Sequence, residues 1–282
     1  MSFVMLTAML SSCNNSSSSS TPVTPEVERN CVPESELNQA GIVGGEKVSI
    51  YDTDSKKVVM LYGRVDDEHS SICTATAIAP NVLLTAAHCI QKSNFAIFHI
   101  ALSCESGFTP QKYLAETITA IKNKKWLENG KGLSNTANDV AIVILKHDIP
   151  SSYRVMKIAD PSKIDYSQGK IRFLGYGVVD YEAGGSGILR KTSIDITDVK
   201  TDIANNIVEI DQSHGHGVCS GDSGGPSFVM VGNQEQILGV NSIVRASAEG
   251  RECTDGAAQT LAAGHIDWIK SELAKLGMNI NL

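Results

Sequence analysis

From residue 42 onward, short runs of β-branched and apolar residues alternate with polar turn-formers. Val58-Val59-Met60-Leu61-Tyr62, Ala75-Thr76-Ala77-Ile78-Ala79, Ala141-Ile142-Val143-Ile144-Leu145, Ile171-Arg172-Phe173-Leu174 and Ile237-Leu238-Gly239-Val240 are the clearest. Each has strand length, Gly, Asn, Asp and Pro separate them, and branched side chains suit a pleated surface. The pattern predicts an all-β fold of many short strands. One late segment differs. From His265 to Leu276, the residues Ile266, Ile269, Leu273 and Leu276 recur at helical spacing, which predicts an amphipathic C-terminal helix.

Before residue 42 the pattern is different. Residues 1–12, MSFVMLTAMLSS, are apolar and small, and Cys13 follows. Leu10-Ser11-Ser12-Cys13 resembles a bacterial lipobox, so 1–13 reads as a signal segment with Cys13 as the lipidated new N-terminus. The absence of Lys or Arg in 1–12 departs from that pattern, and an ordinary export signal is the other reading. Residues 14–41 are rich in Ser, Thr, Pro and Glu. They carry too little apolar mass to offset ordering entropy and read as a flexible linker.

Composition narrows the partners. The chain of 282 residues is long enough for one or two domains with a substantial core. A net charge of −7 and the lack of a basic run argue against nucleic acid. No apolar stretch of about 18 residues predicts a membrane-spanning helix. The seven cysteines, Cys13, Cys31, Cys73, Cys89, Cys104, Cys219 and Cys253, include no C-x-x-C pair. That spacing suits disulfides in an exported protein better than a metal site, and the odd count leaves one cysteine over. No cofactor is called for.

The chemistry concentrates in three blocks. Gly221-Asp222-Ser223-Gly224-Gly225-Pro226 places a serine in a glycine-rich turn, where backbone N–H groups can be aimed at a developing oxyanion. Thr85-Ala86-Ala87-His88-Cys89 supplies a base, and Asn138-Asp139-Val140-Ala141-Ile142 supplies a carboxylate. A serine hydroxyl is a weak nucleophile until a neutral imidazole takes its proton, and a carboxylate then steadies the imidazolium. The chain order His88, Asp139, Ser223 is that of the two-barrel serine proteases, unlike subtilisins or α/β-hydrolases. Local metal ligation by His214, His216 and Cys219 is the weaker alternative.

With Ile42-Val43-Gly44-Gly45 as a fourth motif, the chain from Ile42 to its end resembles the chymotrypsin/trypsin family of serine proteases, of bacterial type. The resemblance implies two six-stranded antiparallel β-barrels with a C-terminal helix, in a protease domain over 42–282 with its barrel junction near 150–165. It implies a serine endopeptidase acting on protein or peptide substrates, with His88, Asp139 and Ser223 as the triad. The N–H groups of Gly221 and Ser223 would form the oxyanion hole. It implies bridges Cys73–Cys89 and Cys219–Cys253. It also implies a zymogen, in which cleavage before Ile42 creates an α-amine that pairs with buried Asp222. Gly41 precedes Ile42 and the nearest upstream basic residue is Arg29, so a trypsin-like activator cannot cut there. If Ile42 never becomes a terminus, the hole must be ordered some other way.

Aligned on the serine motif, Gly217 lies where trypsins carry a pocket aspartate. Ser242-Ile243-Val244 falls on the strand that pairs with substrate, Val244 where a glycine usually keeps the pocket open, and Ala257 on the opposite wall. This S1 set predicts a preference for small-to-medium apolar P1 side chains; a chymotrypsin-like preference for larger ones competes. Cys31 and Cys104 remain once Cys13 is set aside for lipid. Joined, they would keep a cleaved pro-segment attached; two free thiols or an intermolecular bond are the alternatives. The expected location is secreted or cell-envelope, with the lipid on Cys13 holding the protein at an outer-membrane or periplasmic surface. Oligomeric state, natural substrate and the choice between a digestive and a regulatory role stay open.

Overall fold

The computed structural model describes residues 42–49, 52–64, 69–91, 96–99, 113–128, 130–178, 186–248, 250–251 and 253–282. The expectations for segments 1–13 and 14–41, for lipid on Cys13 and for a Cys31–Cys104 bridge lie outside the described residues.

Six strands form a closed antiparallel barrel: β2 (Val58–Arg64), β3 (Ser70–Ala79), β4 (Val82–Thr85), β5 (Ala96–His99), β6 (Tyr113–Lys122) and β7 (Ala141–Leu145). Their order is β2-β3-β4-β7-β6-β5, and β2 pairs with β5 to close the ring. All five residues of β7 are buried, so this strand shows no polar alternation. The second sheet contains β1 (Glu46–Lys47), β8 (Lys170–Gly175), β9 (Arg190–Asp195), β10 (Val199–Asp202), β11 (Ile207–Asp211), β12 (Pro226–Val231), β13 (Gln234–Arg245) and β14 (Gly256–Leu261). Its order is β1-β9-β8-β12-β13-β14-β11-β10. The architecture is the expected chymotrypsin-like pair of antiparallel β units. The second has eight strands rather than six, because β1 adds to β9 and β10 adds to β11.

The chain crosses from barrel to sheet between Leu145 and Lys170, yet the two units are stitched at both ends. β1, near the start, belongs to the second sheet. A short helix α1 (Leu133–Thr136) precedes β7, and the helix α2 (Ile266–Lys275) comes last and packs Ile269 and Leu273 into the cluster that holds the first barrel's core. Leu276 corrects the predicted stripe: it is 47% exposed, because the helix ends at Lys275 and Leu276 is its cap. Leu174, Tyr176, Phe228 and Val240 from the second unit join the same cluster, so one apolar seam runs beneath the cleft.

Candidate active site

His88 lies on a short 3-10 turn, Ala87–Cys89, directly after β4. Its Nδ1 is 2.6 Å from Asp139 Oδ2, and its backbone N–H donates to Asp139 Oδ1 at 2.9 Å. A carboxylate beside Nδ1 fixes the proton there and leaves Nε2 as an acceptor. Asp139 is buried and immediately precedes β7. Its Oδ2 also accepts from the Ser242 hydroxyl at 2.6 Å. The main chain around it is held from behind. Thr260 on β14 donates to the carbonyls of Thr136, at 2.5 Å, and Asp139, at 3.1 Å. His265 Nε2 donates to Ala137 O at 2.8 Å, and Asn123 Nδ2 meets His265 Nδ1 at 3.1 Å.

Ser223 stands in the tight turn between the Cys219–Cys253 disulfide and β12. Its carbonyl accepts from Thr74 N at 2.8 Å, while Gly224 N donates to Asn241 O and Asn241 Nδ2 to Asp222 O. Gly221 has φ +94°, in the left-handed region where a side chain is strained. Among the described residues, no hydrogen bond occupies the N–H of Gly221 or of Ser223, nor joins Ser223 Oγ to the imidazole. Two idle N–H groups flanking a partly exposed serine can receive a negative oxygen.

Asp222 is fully buried and accepts from Gly177 N at 2.8 Å and Cys219 N at 2.9 Å. Burial pushes its carboxyl up to about 7, against those two bonds and the charge of Arg190. Ile42 is buried in the second core with φ +38°, a strained value for a β-branched residue. Val43 O accepts from Gly217 N at 3.1 Å, so the Ile42–Gly45 turn is docked beside the serine loop.

The disulfides Cys73–Cys89 and Cys219–Cys253 are both formed. The second removes Cys219 from any metal site with His214 and His216. Gln212, which sequence reasoning missed, lies against Gly217, where an added Cβ would come within 2.2 Å of its Cδ. Its amide donates to Val218 O and Cys253 O and accepts from Val218 N. No motif marks this residue. Val244 and Ala257 are cross-strand partners on β13 and β14 and share a face. The β12 ladder ends at Val240, so Ser242–Val244 has its partner on the β14 side among the described strands. Beside His88, a groove of about 420 Å³ is lined by Trp126, Glu128, Asn135 and Ile243.

This fold and constellation define a chymotrypsin-like serine hydrolase. The Trypsin family matches residues 42–269, and the chain belongs to that family. It is 24% identical to neutrophil elastase of Mus musculus over 71% of this chain and 72% of that protein. It is 26% identical to brachyurin of Leptuca pugilator over 74% and 89% of the two chains. A venom serine protease of Polistes dominula is 24% identical over 66% and 69%. The chain is a serine endopeptidase that hydrolyses peptide bonds in proteins or peptides.

Proposed function

We propose that Ser223 is the nucleophile, His88 its base and Asp139 the group that orients and charges-balances His88, in an exported endopeptidase. The observation that carries this reading is the chain of contacts Ser242 Oγ–Asp139–His88 Nδ1, which leaves Nε2, 3.8 Å from Cys89 Sγ, as the ring's accepting nitrogen. Nε2 takes the Ser223 Oγ proton as Oγ bonds to the scissile carbonyl carbon. The carbonyl oxygen becomes an oxyanion held by the N–H groups of Gly221 and Ser223. The imidazolium returns its proton to the leaving amine, and the C–N bond breaks to give an acyl-enzyme. Water then attacks by the same route and frees Ser223.

The edge of Ser242–Val244 that is open among the described strands suits an added substrate strand. Gln212 supports a neutral P1 floor at Gly217, since its amide is already fully engaged. Val244 facing Ala257 supports a small-to-medium apolar P1 residue, as the similarity to an elastase does. Cleavage before Ile42 is the activating step in this reading. It would release the φ strain at Ile42 and create an α-amine at a residue already inside the core, a cation that would offset the burial that pushes the Asp222 carboxyl up to about 7. Two disulfides and similarity to a venom protease support export, and the lipobox-like Cys13 supports attachment to a bacterial envelope.

Ser223→Ala tests the assignment. Peptidase turnover and fluorophosphonate labelling should vanish while the melting temperature stays within a few degrees of wild type. Retained turnover would refute Ser223 as nucleophile. A peptide library read with the cleaved enzyme should favour Ala and Val at P1; efficient cleavage after Arg or Lys would refute the neutral pocket.

A further inference from the structure

Three polar side chains, Ser227, Asn241 and Gln259, are buried in the second sheet against the serine turn, and the motifs give them no role. They come from three neighbouring strands, β12, β13 and β14, and Asn241 is the cross-strand partner of Gln259. Buried polar groups are costly unless they are satisfied, and here every link is bonded. Gly239 N donates to Ser227 Oγ at 3.1 Å, and Ser227 Oγ donates to Gln259 Oε1 at 2.6 Å. Gln259 Nε2 donates to Asn241 Oδ1, and Asn241 Nδ2 donates to the carbonyl of Asp222 at 3.0 Å. Space for the glutamine amide comes from Gly239, where an added Cβ would collide with Gln259 Oε1. Because Gln259 donates to Asn241 Oδ1, the asparagine amide has one orientation, with its NH₂ toward Asp222. The donors all run one way, and the last acceptor lies outside the sheet, in the peptide that joins Asp222 to Ser223.

We propose that Asn241, oriented by Gln259 and Ser227, is a positioning residue that aims the Ser223 N–H at the oxyanion. This rests on the serine peptidase reading above. The carbonyl of Asp222 and the N–H of Ser223 belong to one peptide unit, which is planar and carries the two groups on opposite sides. Asp222 O accepts from Asn241 Nδ2 and from Gly225 N at 2.9 Å, so both of its lone pairs are used. Two bonds at the oxygen end fix the direction of the N–H at the other end. That N–H has no hydrogen-bond partner among the described residues. Hydrogen bonding at the carbonyl also polarises the peptide, which makes its N–H a stronger donor. The main chain of Asn241 grips the same loop. Its N–H donates to Gly225 O at 2.8 Å, and its carbonyl accepts from Gly224 N at 2.8 Å. Asn241 is therefore tied to both sides of Ser223, and its side chain alone reaches the peptide that carries the oxyanion donor. The aim of that donor matters little while the substrate carbonyl is neutral and much once its oxygen becomes negative.

The test uses the full chain, with residues 37–41 replaced by the recognition site of a specific processing protease that cuts before Ile42. Rates after cutting are expressed per serine titrated with a fluorophosphonate, so that a partly folded variant still reports. Asn241→Leu keeps the size of the side chain and removes the donor. Its kcat for a small ester should fall at least about tenfold, part of the roughly hundredfold or more lost with a whole oxyanion donor, with KM nearly unchanged. A peptidyl trifluoromethyl ketone reads the hole directly. Ser223 Oγ adds to the ketone carbon, its proton passes to His88, and the ketone oxygen becomes the anion. This inhibitor should bind more weakly by the same factor. A peptide of the same sequence with a methylene in place of the scissile carbonyl should bind as it does to wild type. Gln259→Met leaves Asn241 in place but frees its amide. It should lower kcat and ketone affinity to a smaller extent and add nothing to Asn241→Leu. An unchanged kcat in Asn241→Leu, or equal weakening of the ketone and the methylene peptide, would overturn the proposal. If Asn241→Leu does not fold, Gln259→Met decides, and unchanged kcat and ketone affinity there would overturn it. A cut wild-type chain that neither takes the fluorophosphonate nor hydrolyses ester would instead overturn the peptidase reading.

Discussion

Asp139 shows how one carboxylate is specified by its donors. It receives the His88 backbone, the His88 ring and the Ser242 hydroxyl, so both oxygens are engaged in a buried place. A hydrogen bond to a charged group contributes about 1.5–3 kcal/mol, and the charge on Asp139 matters most when the imidazolium forms. Ser242→Ala should therefore lower kcat by roughly tenfold or more, with little effect on KM, in steady-state ester hydrolysis. An unchanged kcat would show that Ser242 merely fills space. Gln212 is the comparable residue beneath the pocket. Gln212→Leu keeps most of the volume but strips Val218 N–H and two carbonyls of their partners. It should cost about 3 kcal/mol by urea denaturation, and it should raise KM for apolar P1 substrates as the 217–219 wall loosens.

Among elements, the α2 junction couples the end of the chain to the triad. His265, just before α2, accepts from Asn123 and donates to Ala137, two residues before Asp139. The bond accepted at Nδ1 requires a neutral ring. Burial holds its pKa below the usual 6.5. The unfolded chain therefore takes up a proton first on acidification, and stability from this site is present above about pH 6.5 and lost as pH falls. Melting temperatures of His265→Gln should fall less steeply than wild type below pH 6.5; parallel curves would exclude His265 as the cause. The sequence showed elements of this kind unevenly. β7 was readable because five apolar residues in a row have strand length, although burial of the whole strand hid any alternation. The α2 stripe was readable from its period. β9 and β14 were not: RKTSID is mostly polar and GAAQTL mostly small, and both owe their strand state to neighbours on either side. The triad residues stood out through their flanking motifs. Ser242 as a partner of Asp139, Gln212 and His265 did not, because each acts through a contact distant in sequence.

At the scale of the molecule, two buried acids on different elements lean in opposite directions with pH. Asp54 lies before β2, at the entrance to the first barrel, and meets Lys57 at 2.6 Å, Lys191 at 3.4 Å and Arg172. Arg172 and Lys191 belong to β8 and β9, so the cluster ties the barrel to the second sheet. Burial raises the Asp54 pKa, but Lys57, Arg172 and Lys191 outweigh it and the net shift is downward. Its stabilisation is present above about pH 4 and lost as pH falls through the lowered value. Asp54→Asn leaves buried cations short of a partner and should cost about 3 kcal/mol at neutral pH, with the difference from wild type shrinking below about pH 4. Asp222 has the contrary sign in the uncut chain. Its folded pKa of about 7 lies above the ordinary carboxylate value. Between about pH 4 and pH 7 the unfolded chain has released this proton and the folded chain has kept it, so stability falls as pH rises and levels off above 7. Chemical denaturation of wild type and Asp222→Asn across pH 4 to 8 reads this directly. The stability of wild type relative to the variant should decline from pH 4 to 7 and then hold steady. A relative stability that is instead flat over that range would mean that Arg190 and the two N–H donors already overcome the burial of Asp222, and that the carboxylate is ionised well below neutrality.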